Sequence, residues 1–274
     1  MTESSPGSVP LLDLFGQPPL ESCSSTQEVC RELARQGMPE GTCVRARRQT
    51  AGRGRGERLW PSPTGGGLYL SFLLRPRIER SLWPYLTALV ALATAEALED
   101  LAVSSKPGGW RAWIKWPNDL HGRRGKLGGI LAEVAGDAVV IGLGINLAMK
   151  EEDLPQVLRR HASSLLLEGF DPVPAVEAAA TALNFRLGPL YARFQAGDRA
   201  FLQEGLRRRF FLRGAQVALA VAGSRVEGTA LDAGPLGELL LQTAEGTRTL
   251  ISGEVIWWRR AEAQGGFDAG PPLR

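Results

Sequence analysis

The sequence predicts an α/β (α+β) fold, with a mixed, largely antiparallel sheet flanked by helices and followed by a small C-terminal β-barrel. Three observations predict it. Short apolar runs bounded by Gly, Pro, Asn or Asp recur between Thr42 and Leu143, joined by links compatible with hairpins. Stretches of helical periodicity precede, interrupt and follow them. Beyond Ala215 the period changes to brief strands separated by glycine-rich turns at Gly223, Gly234, Gly246 and Gly253.

Taken in chain order, Ser25 stands three residues before Glu28 as a capping box, and Val29, Leu33 and Ala34 share one face of a short helix that ends at Gly37. Thr42 to Arg47 reads as a strand entering an Arg/Gly loop. Gly67 to Leu74 reads as the strand leaving it, with Leu68, Leu70, Phe72 and Leu74 alternating with Tyr69, Ser71 and Leu73. Ser81 caps a longer helix with Pro84 in its first turn and an apolar stripe of Leu86, Leu89, Val90, Ala93, Ala97 and Leu101. Strands follow at Trp113 to Trp116, Leu127 to Val134 and Ala138 to Leu143. From about Leu154 to Arg209 the chain is helical, with Asp198 capping a final basic helix. QVALAV, GTALD, GELLLQ, TRTLI and GEVIWW are the barrel strands. The expected division is a larger domain over residues 11–209 and the barrel over 213–260, with frayed tails at 1–10 and 261–274.

With 44% hydrophobic and 22% charged residues, the 274-residue chain can bury a substantial core. Its formal net charge of +3 demands no nucleic-acid or membrane partner, so anion binding has to be local. The N-terminus has no basic and apolar leader pattern, and no apolar run approaches the roughly 20 residues that span a bilayer. A soluble cytoplasmic protein is expected. Cys23, Cys30 and Cys43 have neither CxxC spacing nor histidine neighbours, so reduced, buried thiols are expected and no metal site. No GxxxxGK[ST], GxSxG or HExxH pattern occurs, so any use of ATP proceeds without a Walker loop.

Four segments carry candidate chemistry. In QTAGRGRGERLWPSPTGGG, Gly52, Gly54 and Gly56 let backbone N–H groups approach a ligand, while Arg53, Arg55 and Arg58 supply planar cationic forks for an anion. An Arg/Gly run alone is equally a solvated basic turn or a segment that touches nucleic acid. KWPNDL displays a cation, an amide and a carboxylate at one strand end in Lys115, Asn118 and Asp119, and alone also reads as an ordinary Pro-Asn-Asp turn. Lys126 precedes Gly128 and Gly129 at the start of a strand, where a solvated hairpin lysine is the plain alternative. VVIGLGIN ends a strand in Gly142, Gly144 and Asn146, and a lone GxG also marks a tight turn.

The order of these blocks is more specific than any one of them. Together with SSTQ at Ser24 to Gln27, ASSL at Ala162 to Leu165 and ISGEV at Ile251 to Val255, the chain resembles the biotin protein ligase family over about Ser24 to Arg259. The likeness is to the catalytic and C-terminal parts of biotin–[acetyl-CoA-carboxylase] ligases. It implies that biotin and MgATP form biotinyl-5'-adenylate, and that biotin then passes to a lysine of a biotin carboxyl carrier domain. Because a carboxylate attacks an α-phosphate, cations and N–H groups have to offset the repulsion of two anions. The resemblance places Ser25, Thr26, Gln27, Gln49, Arg53, Gly54, Arg55, Lys126, Gly129 and Gly142 around biotin. It places Arg55, Arg58, Trp60, Lys115, Asn118 and Asn146 on the ATP side. Lys126, Arg55 and Asp119 are the expected catalytic residues, with Asp119 orienting the incoming lysine, whose amine of pKa roughly 10.4 must lose a proton to attack.

Two residues depart from the family pattern. The loop reads GRGRGER where GRGRxGR is usual, which sets Glu57 beside the arginines, and Gln27 stands where asparagine is common. Only about two dozen residues precede Ser24, too few for the DNA-binding domain of bifunctional members, so a ligase without DNA binding is expected, as a monomer or weak homodimer. The rivals are a lipoate ligase or octanoyltransferase of related fold and, from another class, a non-enzymatic RNA-binding module.

Overall fold

The structure, a computed structural model, describes residues 11–14, 16–56, 58–106 and 109–260. Both expected frayed tails and Glu57 lie outside the described residues. Six strands form the larger sheet: β1 (Cys43–Ala46), β2 (Gly67–Leu74), β3 (Trp113–Lys115), β4 (Asp119–His121), β5 (Lys126–Ala135) and β6 (Ala138–Asn146). Their order is β1-β2-β6-β5-β4-β3, and every pairing is antiparallel.

Residue alternation along β2 explains how helices cover both faces. Leu68, Leu70, Phe72 and Leu74 join the main core with α2 (Leu86–Ser105) and α3 (Val176–Gln195), while Leu73 turns to the other face. There it packs with Cys30 and Ala34 of α1 (Thr26–Arg35), Val44, Ala138 and Val140. A strand buried on both faces reads as a nearly continuous apolar run, which is what β2 shows. Within that run Ser71 is a fully buried hydroxyl on the α1 side.

Three helix starts differ from expectation. Ser25 precedes α1 but makes no side-chain cap; Ser24 Oγ instead donates to Glu28 at 3.0 Å. Ser81 caps nothing either, because a 3₁₀ segment spans Arg80–Tyr85 around Pro84 and α2 starts at Leu86. α2 is buried beyond the expected stripe, with Ala91, Leu92 and Ala95 also inside, as befits a helix enclosed by its neighbours. α4 (Ala200–Arg209) begins after Arg199, and Asp198 is drawn to Arg193 at 2.7 Å. The stretch expected to be helical from Leu154 is one short 3₁₀ turn, Gln156–Leu158, and an irregular strap up to α3, since Gly169, Pro172 and Pro174 interrupt it.

The C-terminal strands β7 (Ala215–Val221), β8 (Ser224–Ala233), β9 (Leu239–Thr243), β10 (Gly246–Leu250) and β11 (Glu254–Arg260) pair in the order β10-β9-β8-β7-β11. Among the described residues no ladder joins β10 to β11, so the expected barrel is an open five-stranded antiparallel sheet. Its inner side chains, including Val217, Leu219 and Leu241, are continuous with the main core. A backbone bond from Phe211 to Ile114 and ion pairs from Arg209 to Glu99 and Glu96 brace the junction. The two sheets therefore share a wall, where the cavity opens.

Candidate active site

A cavity of about 630 Å³ lies between the larger sheet, the Arg/Gly loop and β11. All the residues that the resemblance placed around biotin, ATP or the reaction line it, namely Ser25, Thr26, Gln27, Gln49, Arg53, Gly54, Arg55, Arg58, Trp60, Lys115, Asn118, Asp119, Lys126, Gly129, Gly142 and Asn146, whereas the candidate glycines Gly52, Gly56 and Gly128 do not. Segments far apart in sequence converge because the strand order brings β2, β6, β5 and β4 side by side.

One end is a neutral hydrogen-bonded network. Gln49 Oε1 accepts from Thr26 N at 2.8 Å and Thr26 Oγ1 at 3.1 Å, and its Nε2 donates to Ser62 Oγ at 2.8 Å. Thr26 Oγ1 and Ser71 Oγ are 2.9 Å apart, and Ser71 Oγ donates to Gln27 Oε1 at 3.2 Å. Gln27 Nε2 donates to Val140 O and to Glu133 Oε2. Each amide is thus fixed in orientation, which suits recognition of a polar, uncharged ligand edge. Against this order, Ser25 Oγ is buried with no hydrogen-bond partner, as is Trp60 Nε1. Such groups persist in a folded protein where a ligand or water completes them.

Gly142 faces Ser71 across the β2–β6 ladder, and a Cβ there would fall 2.5 Å from Gln27 Oε1. Only glycine lets the glutamine lie flat on the strand. A Cβ at Gly129 would instead meet Lys126 Nζ and Asp119 Oδ1 at ordinary contact distance, so internal packing does not require glycine there.

The other end is cationic. Lys115 and Asp119 are register partners across β3 and β4, and Lys126 Nζ pairs with Asp119 Oδ1 at 2.6 Å. Burial works against the charge of Asp119, but Lys126 and Lys115 outweigh it and hold the carboxyl below its usual value. Burial pulls Lys115 below the usual lysine value, Asp119 opposing and Lys126 and Arg58 adding to the shift. Lys126 Nζ also sits 5.4 Å from the Trp60 ring centroid, and Lys115 Nζ 5.9 Å from that of Trp258. Two ammonium groups crowded around one carboxylate leave excess positive charge for an anion. Asn118 and Asn146 are committed to backbone carbonyls, donating to Ile130 O at 2.6 Å and Ser163 O at 2.9 Å, which fixes their side-chain oxygens.

The three loop arginines do not converge on one point. Arg53 reaches toward Glu133 at 3.6 Å and Glu28 at 3.9 Å, whereas Arg55 donates to Gly253 O at 2.9 Å and Arg58 pairs with Glu254. Bonds from Gly54 N to Arg58 O and from Trp60 N to Gly52 O, both 2.8 Å, fold the loop back on itself. It is strung between the two sheets like a strap over the cavity mouth.

Several lining residues were not anticipated. Ser71 was readable as the one aliphatic hydroxyl in the strand run. His121 and Trp258 were not, because their approach depends on β4 and on the packing of the second sheet. His121 stacks on Phe211 at 4.6 Å, and Phe211 meets Trp258 edge-on at 5.1 Å. The three thiols are free, with Cys30 buried and Cys23 and Cys43 half-buried, and burial pushes Cys30 up to about 12. Among the described residues no group of three His, Cys, Asp or Glu side chains converges as a metal site, and no helix is long and apolar enough to cross a membrane.

Residues 20–146, which supply most of this cavity, match the model of the Biotin/lipoate A/B protein ligase family. The bifunctional ligase/repressor BirA of Bacillus subtilis is 42% identical over 147 residues, 52% of this chain and 43% of its own, so the chain spans less than half of that relative. The biotin–[acetyl-CoA-carboxylase] ligase of Mycobacterium tuberculosis is 31% identical over 222 residues, 80% of each protein. Among solved structures, the Aquifex aeolicus biotin protein ligase in complex with biotin and ATP superposes with a TM-score of 0.76 at 28% identity, over 89% of this chain and 98% of that one. Both sheets are included in the likeness, and the chain belongs to the biotin protein ligases of the biotin/lipoate A/B protein ligase family.

Proposed function

We propose that the protein activates biotin with ATP to biotinyl-5'-adenylate and transfers biotin to a specific lysine of a biotin carboxyl carrier domain. The observation that carries this reading is the polarity of one cavity: a neutral amide and hydroxyl network at one end and crowded lysines at the other. The Ser25, Thr26, Gln27 and Gln49 end suits the ureido ring of biotin, and Ser25 Oγ is the donor left free for its carbonyl. The ligand carboxylate then points toward Lys126.

In the first step a biotin carboxylate oxygen forms a bond to the α-phosphorus while the bond to the pyrophosphate oxygen breaks. Lys126 and Arg55 face the negative charge of both reactants, and Lys115 and Arg58 face the departing pyrophosphate. Asn118 and Asn146 position the nucleotide. Magnesium bound with ATP would neutralise part of the phosphate charge beside Lys115 and Lys126. In the second step the carrier lysine nitrogen attacks the acyl carbon and AMP leaves. Asp119, held ionised by its lysines, orients the incoming ammonium and receives its proton as attack proceeds. We place the enzyme in the cytoplasm with its carrier, as a monomer or weak homodimer. Exchange of labelled pyrophosphate into ATP tests the reading: it requires biotin under this proposal, whereas support of exchange by lipoate in place of biotin overturns it.

A further inference from the structure

We infer that Glu168, in the strap before α3, is a positioning residue for adenylation that acts through Lys126 and Asn146; this rests on the ligase reading above. Glu168 is 6% exposed and its carboxylate takes four hydrogen bonds. Oε2 accepts from Arg123 N at 2.8 Å and Trp110 Nε1 at 3.1 Å; Oε1 accepts from Arg124 N at 2.8 Å and Ser163 Oγ at 3.0 Å. A buried carboxylate is tolerated when donors replace its hydration, and here two donors meet each oxygen.

What those bonds join gives them meaning. Arg123 and Arg124 form the β4–β5 turn between Asp119 and Lys126, so the carboxylate grips the link between the two partners of the central ion pair. Gly122 makes room for it, because a Cβ there would lie 2.4 Å from the Glu168 carboxyl carbon. The strap then holds Lys126 from the other side: Lys126 N donates to His161 O and Ser163 N to Lys126 O, both at 2.7 Å. Ser163 O accepts from Asn146 Nδ2 at 2.9 Å, and Leu165 N donates to Asn146 O at 3.2 Å. Turn, lysine, strap and carboxylate therefore close a ring of hydrogen bonds around the cationic end of the cavity. None of these bonds involves Ser25, Thr26, Gln27, Gln49 or Ser71.

The isosteric Glu168→Gln is the sharp test, since whichever oxygen becomes NH₂ faces two donors. Steady-state pyrophosphate exchange, biotin affinity by calorimetry and thermal unfolding are measured on the full chain, with Trp110→Phe as the control that removes one donor remote from Lys126. Glu168→Gln is expected to lower the exchange kcat by about 10- to 100-fold through misplacement of Lys126, with biotin Kd, held mainly by the Ser25 to Gln49 end, changing by a smaller factor than kcat. Trp110→Phe is expected to lose stability and keep the exchange rate. Parental kcat in Glu168→Gln, or losses of kcat that follow stability equally in both variants, overturn the assignment. Should Glu168→Gln not fold, Ser163→Ala carries the test: a reduced kcat with biotin affinity retained supports the assignment and an unchanged kcat overturns it. Absence of exchange in the parental protein overturns the ligase reading and this inference with it; parental exchange with an unaffected Glu168→Gln overturns this inference alone.

Discussion

Ser25 and Ser71 show how far one hydroxyl can depart from its local sequence signal. Ser25 sits at the start of α1, yet its Oγ bonds to no protein group, while the first helix N–H, at Thr26, is taken by Gln49 Oε1. Leaving a buried hydroxyl unsatisfied costs about 1–3 kcal/mol, so Ser25→Ala is expected to unfold no more easily than the parent while binding biotin about tenfold more weakly. Calorimetric titration with biotin checks this, and parental affinity in the variant removes Ser25 from the ligand. His121 makes a second residue-scale prediction. Burial lowers it from 6.5 to about 3, Lys115 and Lys126 adding to the shift and Asp119 opposing. The unfolded imidazole takes a proton below about pH 6.5 and the folded one does not, so stability falls as pH drops from there toward 3, by up to about 1.4 kcal/mol per unit. Urea unfolding at about pH 7 and pH 5 measures the slope. A His121→Gln variant with the parental slope would contradict the assignment. Charged and amide residues in loops and at strand ends were legible in the sequence; Glu168 was not, since only the folded strap reveals what it holds.

At the level of elements, alternation and turn residues located β1, β2, β3, β5 and β6 and all five strands of the second sheet to within a few residues. β4 escaped because its three residues, Asp119 to His121, follow Pro117 and Asn118 directly and read as part of a turn. The strap before α3 escaped for the opposite reason: its leucines imitate a helix, but its backbone is committed to Lys126, Asn146 and Leu147. Ladder geometry also makes a prediction at β6. Gly142→Ala drives a methyl against Gln27 Oε1, so the glutamine must leave Ser71 and biotin KM is expected to rise about tenfold or more while KM for ATP changes little. Equal rises in both constants would show that the sheet itself had shifted.

Across the whole molecule, the cavity belongs to neither sheet alone. The larger sheet with α1 and the loop after β1 supplies the amide network and the lysines, and β11 with the residue before it supplies the wall and two anchors for the Arg/Gly loop. Fold class and the ordered blocks around the site could be read from sequence because each block keeps its chemistry over a short span. The open edge of the second sheet and the strung loop could not, because they depend on contacts between segments almost 200 positions apart, such as Arg58 and Glu254 at |i−j| = 196. The central claim is that this shared cavity forms an acyl-adenylate, and biotin-dependent ATP–pyrophosphate exchange by the parental chain and by Lys126→Met tests it most directly. The account predicts exchange that requires biotin and falls at least about 100-fold without the lysine; exchange absent with biotin, or undiminished in Lys126→Met, would contradict it.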